Sequence, residues 1–266
     1  MRFIDFIAAT LSSANSSEDI PIVSNVLRIE LNAILFANYA AILLRLDRVD
    51  EALKNADHAI ELDPKWAKAY YRRGEALRRL NALLPAVVSL SEGVALDPSN
   101  KLIAELQIDV SQQLFKHFPL KRLQNVGLDH DRFTVLTMTG QELAAAGHHR
   151  EAQIVLSRAL SLHTPSLRLR ESAVSSLASV HFLLGEFTQA TLLYQQQLEI
   201  RLQLDGPPAE VHDNVATSAE AAGNHALALS HRKQKLEFLD DVDKKRLETQ
   251  IRIGKGVVHA SMVSFR

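Results

Sequence analysis

Residues Leu62–Pro98 read LDPKWAKAYYRRGEALRRLNALLPAVVSLSEGVALDP, and the same tripeptide, Leu-Asp-Pro, opens the stretch at Leu62–Pro64 and closes it at Leu96–Pro98. Counting back from Pro64 meets Ala59, Ala52 and Ala40; counting back from Pro98 meets Gly93, Ala86 and Gly74. The intervals are 5, 7 and 12 in both cases, so every anchor has a counterpart 34 positions on. Two antiparallel helices approach closely only where small side chains face each other, and a recurring Ala or Gly on each helix supplies that. Leu, Ile and Tyr at i, i+3, i+4 spacing fill the rest of the contact. The Asp-Pro then stops the second helix, because proline has no amide donor and pushes the residue before it out of the helical region. The unit is a helix–turn–helix, and it is repeated.

The skeleton returns further along with a longer period. Gly140, Ala152 and Ala159 keep the 12 and 7 intervals, as do Ala178, Ala190 and Gln197, and then Ala216, Ala228 and Lys235. Ala152, Ala190 and Ala228 follow one another at steps of 38 positions. Turn signals stand between the paired helices at Gly147, Gly185-Glu186 and Gly223-Asn224, and Gly206-Pro207-Pro208 marks a junction between units. The four extra residues of each longer unit extend either its helices or the turn between units. Residues 101–116 form a linking helix with Leu102, Ile103, Leu106, Ile108, Val110 and Leu114 as its apolar members, and 117–131, with Pro119 and Gly127, is a connection.

The expected organisation is therefore a degenerate leader or partial repeat over 1–32, two 34-residue units over 33–100, and the linking helix and connection over 101–131. Three 38-residue units follow over 132–243, and a truncated repeat helix and tail over 244–266. Four antiparallel helices are predicted over 33–98 and six over 134–240. Ile29–Asn32 resembles the tail of an earlier unit. The first residues have a faint signal-peptide look, but Asp5 interrupts the apolar stretch. Phe3, Ile4, Phe6, Ile7 and Leu11 sit instead at helical spacing, as in an orphan amphipathic helix.

Composition agrees with a folded helical chain. Of 266 residues, 47 % are hydrophobic and 23 % charged, with ten glycines and eight prolines. Thirty basic against thirty-one acidic residues leave a net charge of −1, whereas a nucleic-acid-binding domain is usually basic overall. The absence of cysteine excludes disulfides and thiolate metal sites and leans towards the cytosol. No apolar run approaches the roughly 18 residues that cross a bilayer.

A helix–turn–helix of this period is the signature of the tetratricopeptide-repeat (TPR) family. What that implies is an all-α fold in which the repeats stack into a right-handed superhelical solenoid. A narrower likeness rests on Asp63–Tyr70 (DPKWAKAY), on Gly140–His149 (GQELAAAGHH) opening the longer-period array, and on Ser166–Arg170 (SLRLR) after it. In that order these segments resemble the N-terminal part of the tetratricopeptide repeat protein 28 family of animals, over about 32–256. The resemblance implies a cytoplasmic protein-interaction scaffold associated with the mitotic spindle midzone, midbody formation and an Aurora-type kinase.

Stacked units of this kind put their first helices on a concave wall where extended peptides bind. Lys68 and Arg72 lie one turn apart on such a helix, Asn38 precedes Arg72 by one period of 34 positions, and Arg79 extends the same face. An amide beside Lys and Arg can hold a carboxylate through charge-assisted hydrogen bonds. Asn38, Lys68 and Arg72 resemble part of the carboxylate clamp with which chaperone-binding TPR domains grip the C-terminal Glu-Glu-Val-Asp tail of Hsp70 or Hsp90. The clamp's remaining Lys and Asn, from a preceding first helix, have no counterpart. The basic run holding Lys65, Lys68, Arg72, Arg73, Arg78 and Arg79 against Glu75 alone is otherwise a solvated helix face or a surface for an acidic peptide. Trp66 is expected to pack at the unit junction rather than offer a binding platform. His148-His149 are adjacent and point apart, and His163, His181, His212 and His231 are scattered singly, so none reads as a metal ligand. No phosphate-binding Gly-rich loop or GxSxG elbow occurs. The expectation is a non-enzymatic scaffold without cofactor or metal, binding other proteins or peptides, acidic C-termini among them, and neither nucleic acid nor membrane. A chaperone adaptor is the alternative.

Overall fold

The structure is a computed structural model that describes residues 19–238, 244–245, 247–249 and 251, with side chains from residue 32 onward. The amphipathic segment Phe3–Leu11 and all but the start of the helix expected after residue 244 lie outside the described residues. The regular structure of the described residues is helical throughout, with no strand among them. No helix among them is long and apolar enough to cross a membrane.

The chain forms two units that meet at Phe118–Pro119. The first holds α1 (Asp19–Arg45), α2 (Val49–Leu62), α3 (Ala67–Arg79), α4 (Leu83–Leu96) and α5 (Lys101–Leu114). Each helix packs on the next, and α1, α3 and α5 also touch in succession, which is the stacking of a helical repeat. The second unit holds α6 (Leu120–Asn125), α7 (Arg132–Ala145), α8 (His149–Ser161), α9 (Leu167–Leu183), α10 (Phe187–Gln203), α11 (Ala209–Ala221) and α12 (His225–Lys235), then a 3-10 turn at Leu236–Phe238. The four helices expected over 33–98 and the six from 134 are all present. Two details differ from expectation. Ile29–Asn32 lie inside α1, which runs unbroken from Asp19 to Arg45, rather than in a separate element; Pro21 stands in its first turn, where the missing amide breaks no helix bond. The 117–131 connection carries the short α6, which begins directly after Pro119.

Small residues close the helix pairs as the spacing predicts. Ala40, Ala52, Ala59, Ala86, Ala152, Ala159, Ala178, Ala190 and Ala216 are fully buried. The two glycines among the first-helix anchors sit tightest: a Cβ on Gly74 would lie 2.5 Å from Leu90 Cγ, and one on Gly140 2.6 Å from Leu156 Cγ. Around Ala37, Ala59 and Ala69 gather Phe36, Ile60 and Trp66, so the tryptophan is part of the core joining α1, α2 and α3. Where the last small position is occupied by a long side chain, that chain reaches the facing helix instead: Gln197 towards Glu171 at 3.4 Å and Lys235 to Asp213 at 3.1 Å.

The five intra-pair turns among the described residues share one backbone. The residue five before the second-helix alanine has positive φ each time: Asp47 (58°), Asn81 (58°), Gly147 (85°), Gly185 (77°) and Gly223 (80°). The next amide then bonds back to a carbonyl in the last turn of the first helix, as in Arg48 to Leu43, Ala82 to Leu77 and His148 to Leu143, each 2.9 Å. This is a Schellman closure, which demands a left-handed residue and satisfies an otherwise orphaned carbonyl. The extra residues of the longer units are concentrated in one pair, α9 and α10, of 17 residues each, while α7, α8, α11 and α12 have 14, 13, 13 and 11. Relative to its small anchor, α9 begins four residues earlier than α3, and α10 ends three residues later than α4. The two added turns lie side by side at the same end of the pair, where Arg201 Nε donates to Glu171 Oε1 at 2.5 Å.

Candidate peptide-binding site

The candidate residues fall on consecutive first helices of the first unit, Asn38 on α1 and Lys68, Arg72 and Arg79 on α3. The 34-residue register and the packing of α1 against α3 put Asn38 and Arg72 at equivalent places on neighbouring helices. Asn38 and Lys68 are exposed and Arg72 is half-buried. The Arg72 guanidinium carbon lies 5.1 Å from the centroid of the Tyr71 ring.

The basic run divides into two classes by what each member touches. Arg73 donates to Asp57 across the α2–α3 contact at 2.7 Å. Arg78 and Arg79 both grip Glu75, at 3.0 Å and 2.9 Å. Arg79 also donates through Nη1 to the Leu44 carbonyl in the last turn of α1, which accepts the Asp47 amide as well. Burial alone would raise the Glu75 carboxyl, but its hydrogen bonds and charge contacts with Arg78 and Arg79 outweigh this and hold it below its ordinary value. Arg79, taken from the sequence as a ligand residue, is therefore a staple between α3 and α1. Lys65, Lys68 and Arg72 have no carboxylate within ion-pair distance among the described residues. The Asp97 carboxyl is held low chiefly by the Ser99 hydroxyl, with Asn100 adding to it and Lys68 acting at longer range.

The next helix, α5, supplies a feature that the sequence reading gave only as the apolar members of a linking helix. Leu102 stands one 34-position period after Lys68, Leu106 stands one period after Arg72, and Leu102 is 64 % exposed. The same period that located the cations would have located this apolar step beside them. An open cleft of about 390 Å³ lies elsewhere in the unit, between α2 and α3, lined by Asp57, Ile60, Glu61, Tyr70 and Arg73. It takes in none of Asn38, Lys68 or Arg72.

Histidines follow individual contacts. His181 Nδ1 lies 2.6 Å from Glu186 Oε2, and Arg150 closes on the other carboxylate oxygen at 2.6 Å. No group of three or more metal-ligating side chains occurs among the described residues.

No family model matches the chain. It is 34 % identical over 190 residues to human tetratricopeptide repeat protein 28, covering 69 % of this chain and 8 % of that protein, and the mouse protein gives the same figures. The chain thus spans about a twelfth of the length of these relatives. The Hsp70-Hsp90 organizing protein of Triticum aestivum is 40 % identical over 70 residues, 26 % of this chain and 12 % of that one. Among solved structures, the MamA protein superposes with a TM-score of 0.36 at 16 % identity, covering 77 % of this chain and 91 % of that one.

Proposed function

The chain is a TPR protein resembling tetratricopeptide repeat protein 28 over 69 % of its length, and from that premise we propose that its first unit is a protein-interaction module which holds an extended peptide across α1, α3 and α5. A carboxylate of the peptide sits at Asn38, Lys68 and Arg72, and an apolar side chain rests on Leu102 and Leu106. The observation that carries this is the asymmetry within the basic run. Arg73, Arg78 and Arg79 are occupied by Asp57, Glu75 and Leu44, whereas Lys68 and Arg72 have no carboxylate within ion-pair distance among the described residues, which leaves their charge for a ligand. Binding proceeds by complementarity, with no bond made or broken.

A charge-assisted bond contributes about 1.5–3 kcal/mol, and a factor of ten in affinity is about 1.4 kcal/mol. Removing Arg72 should weaken an acidic C-terminal peptide roughly tenfold or more. Raising salt should weaken the wild type as well, since exposed charges are screened. Titration of a labelled peptide into wild type and Arg72→Ala at two salt concentrations tests this; equal affinities throughout refute the site.

A chaperone adaptor is the second reading, favoured by the name of the Triticum aestivum relative, which links that protein to Hsp70 and Hsp90. It predicts that a Glu-Glu-Val-Asp peptide binds with a free C-terminus and not when amidated. A cytoplasmic scaffold at the spindle midzone, the role implied by the longer likeness, predicts instead that recruitment to dividing-cell microtubules survives Arg72→Ala.

A further inference from the structure

His212 on α11 and His231 on α12 are 19 residues apart in sequence, yet their Nδ1 atoms lie 2.9 Å from each other. Both rings are buried, at 6 % and 8 % exposure. Phe238 stacks on the outer side of His212 with its centroid 6.1 Å away. The two positions are core positions of the repeat. One period earlier they are Val174 and Leu193, and two periods earlier Leu136 and Val155, all four buried. Of these three helix pairs, this one alone replaces an aliphatic contact with two imidazoles.

A nitrogen–nitrogen distance of 2.9 Å requires one ring to donate and the other to accept. That bond exists when the pair carries no charge or one. When both rings are protonated, both nitrogens are donors, the bond is lost, and two like charges face each other away from water. Burial lowers the affinity of His212 for a proton; burial, and then the charge of His212, lower that of His231. The neighbouring charges do little to offset this. Asp213 and Glu220 are paired with Lys235 and Arg232, and Arg201 of α10 with Glu171. Tyr194, Glu199, Glu210, His225 and Lys233, with Lys244, Lys245 and Glu248 beyond, are the other charged or titratable groups of the adjoining described elements. Glu237 is the one that favours the charged form of His212.

We propose that the His212–His231 pair is a proton-operated latch, closed at neutral pH and released on acidification, which frees α12 from α11 while the α7–α8 and α9–α10 pairs stay closed. The sign follows from linkage: groups whose protonation is harder in the folded state stabilise it fully above the unfolded histidine value, and that stability falls as pH drops through and below about 6.5.

Hydrogen exchange of the full chain at about pH 7.5 and about pH 5 tests it, across the range where histidine changes charge. After correction for intrinsic rates, the α12 amides should exchange roughly tenfold or more faster at the lower pH, with α8 unchanged. In the double variant His212→Leu/His231→Val, which restores the aliphatic pair of the earlier unit, the acceleration should vanish. An equal acceleration in that variant, or none in the wild type, overturns the proposal. NMR titration of the wild-type imidazoles needs no variant: both rings titrating at or above the ordinary histidine value, about 6.5, also overturns it.

Discussion

Replacing Gly74 with alanine sets two effects of opposite sign against each other. In a helix interior alanine is favoured over glycine by about 1 kcal/mol, because it loses less backbone entropy. The new methyl, however, would lie 2.5 Å from Leu90 Cγ and 2.6 Å from its Cδ2. Leu90 is fully buried and cannot swing aside, so the methyl must be accommodated by shifting α4 away from α3. Overpacking of this kind costs about 1–3 kcal/mol, so the net effect should be a destabilisation of up to about 2 kcal/mol once the propensity gain of about 1 kcal/mol is subtracted. Leu90→Ala isolates the two effects. By itself it should cost about 2–5 kcal/mol, but in its background Gly74→Ala meets no obstacle and should stabilise by up to about 1 kcal/mol. Urea denaturation of the four proteins yields the coupling energy directly. If Gly74→Ala stabilises the wild type as much as it stabilises the Leu90→Ala protein, the close approach of α3 and α4 through Gly74 is wrong.

Gly147 has φ near 85° with open space around the missing Cβ, so Gly147→Ala should cost about 1–2 kcal/mol through backbone strain alone; a shift in denaturation midpoint below the error of the measurement would count against the shared turn geometry. Glu75, 13 % exposed in its side chain, has its carboxyl held low by Arg78 and Arg79. Its stabilisation is present above the unfolded carboxyl value, about 4.3, and lost as pH falls through the folded one, so Glu75→Gln should destabilise at neutral pH and have little effect near pH 2. A penalty independent of pH in paired denaturation curves would assign the loss to packing.

Most of the fold could be read from the chain because one physical requirement, small side chains where helices cross, recurs at Ala52, Ala86, Ala152, Ala190 and Ala228 and leaves a trace at fixed spacing. The intra-pair turns were visible only where glycine marks them. Asp47 and Asn81 take the same left-handed conformation, since their short polar side chains tolerate it, and nothing in their identity as common surface residues announces the role. For the candidate site, positions were legible in the sequence but contacts were not. Periodicity aligned Asn38 with Arg72, but it could not tell Arg79 from its neighbours, because the Leu44 carbonyl that occupies it belongs to another helix and carries no sequence mark. The histidine pair was missed for a related reason: His212 and His231 lie on different helices, and only superposing the repeat on itself shows that both replace core aliphatics.

The added turns of α9 and α10 restrict how such a chain can change length over generations. Four residues advance a helix by about 400°, so an insertion of that size returns every side chain to within about 40° of its old heading and moves the end outward by about 6 Å. One or two inserted residues would swing the small-residue seam by about 100–200° and aim it at solvent. Surviving insertions in these helices are therefore expected in steps near a whole turn, and each such step needs something to bind its new end. Here Arg201, in the added turn of α10, binds Glu171 at the foot of the added turn of α9, so that the two extensions form a single overhang held by one ion pair.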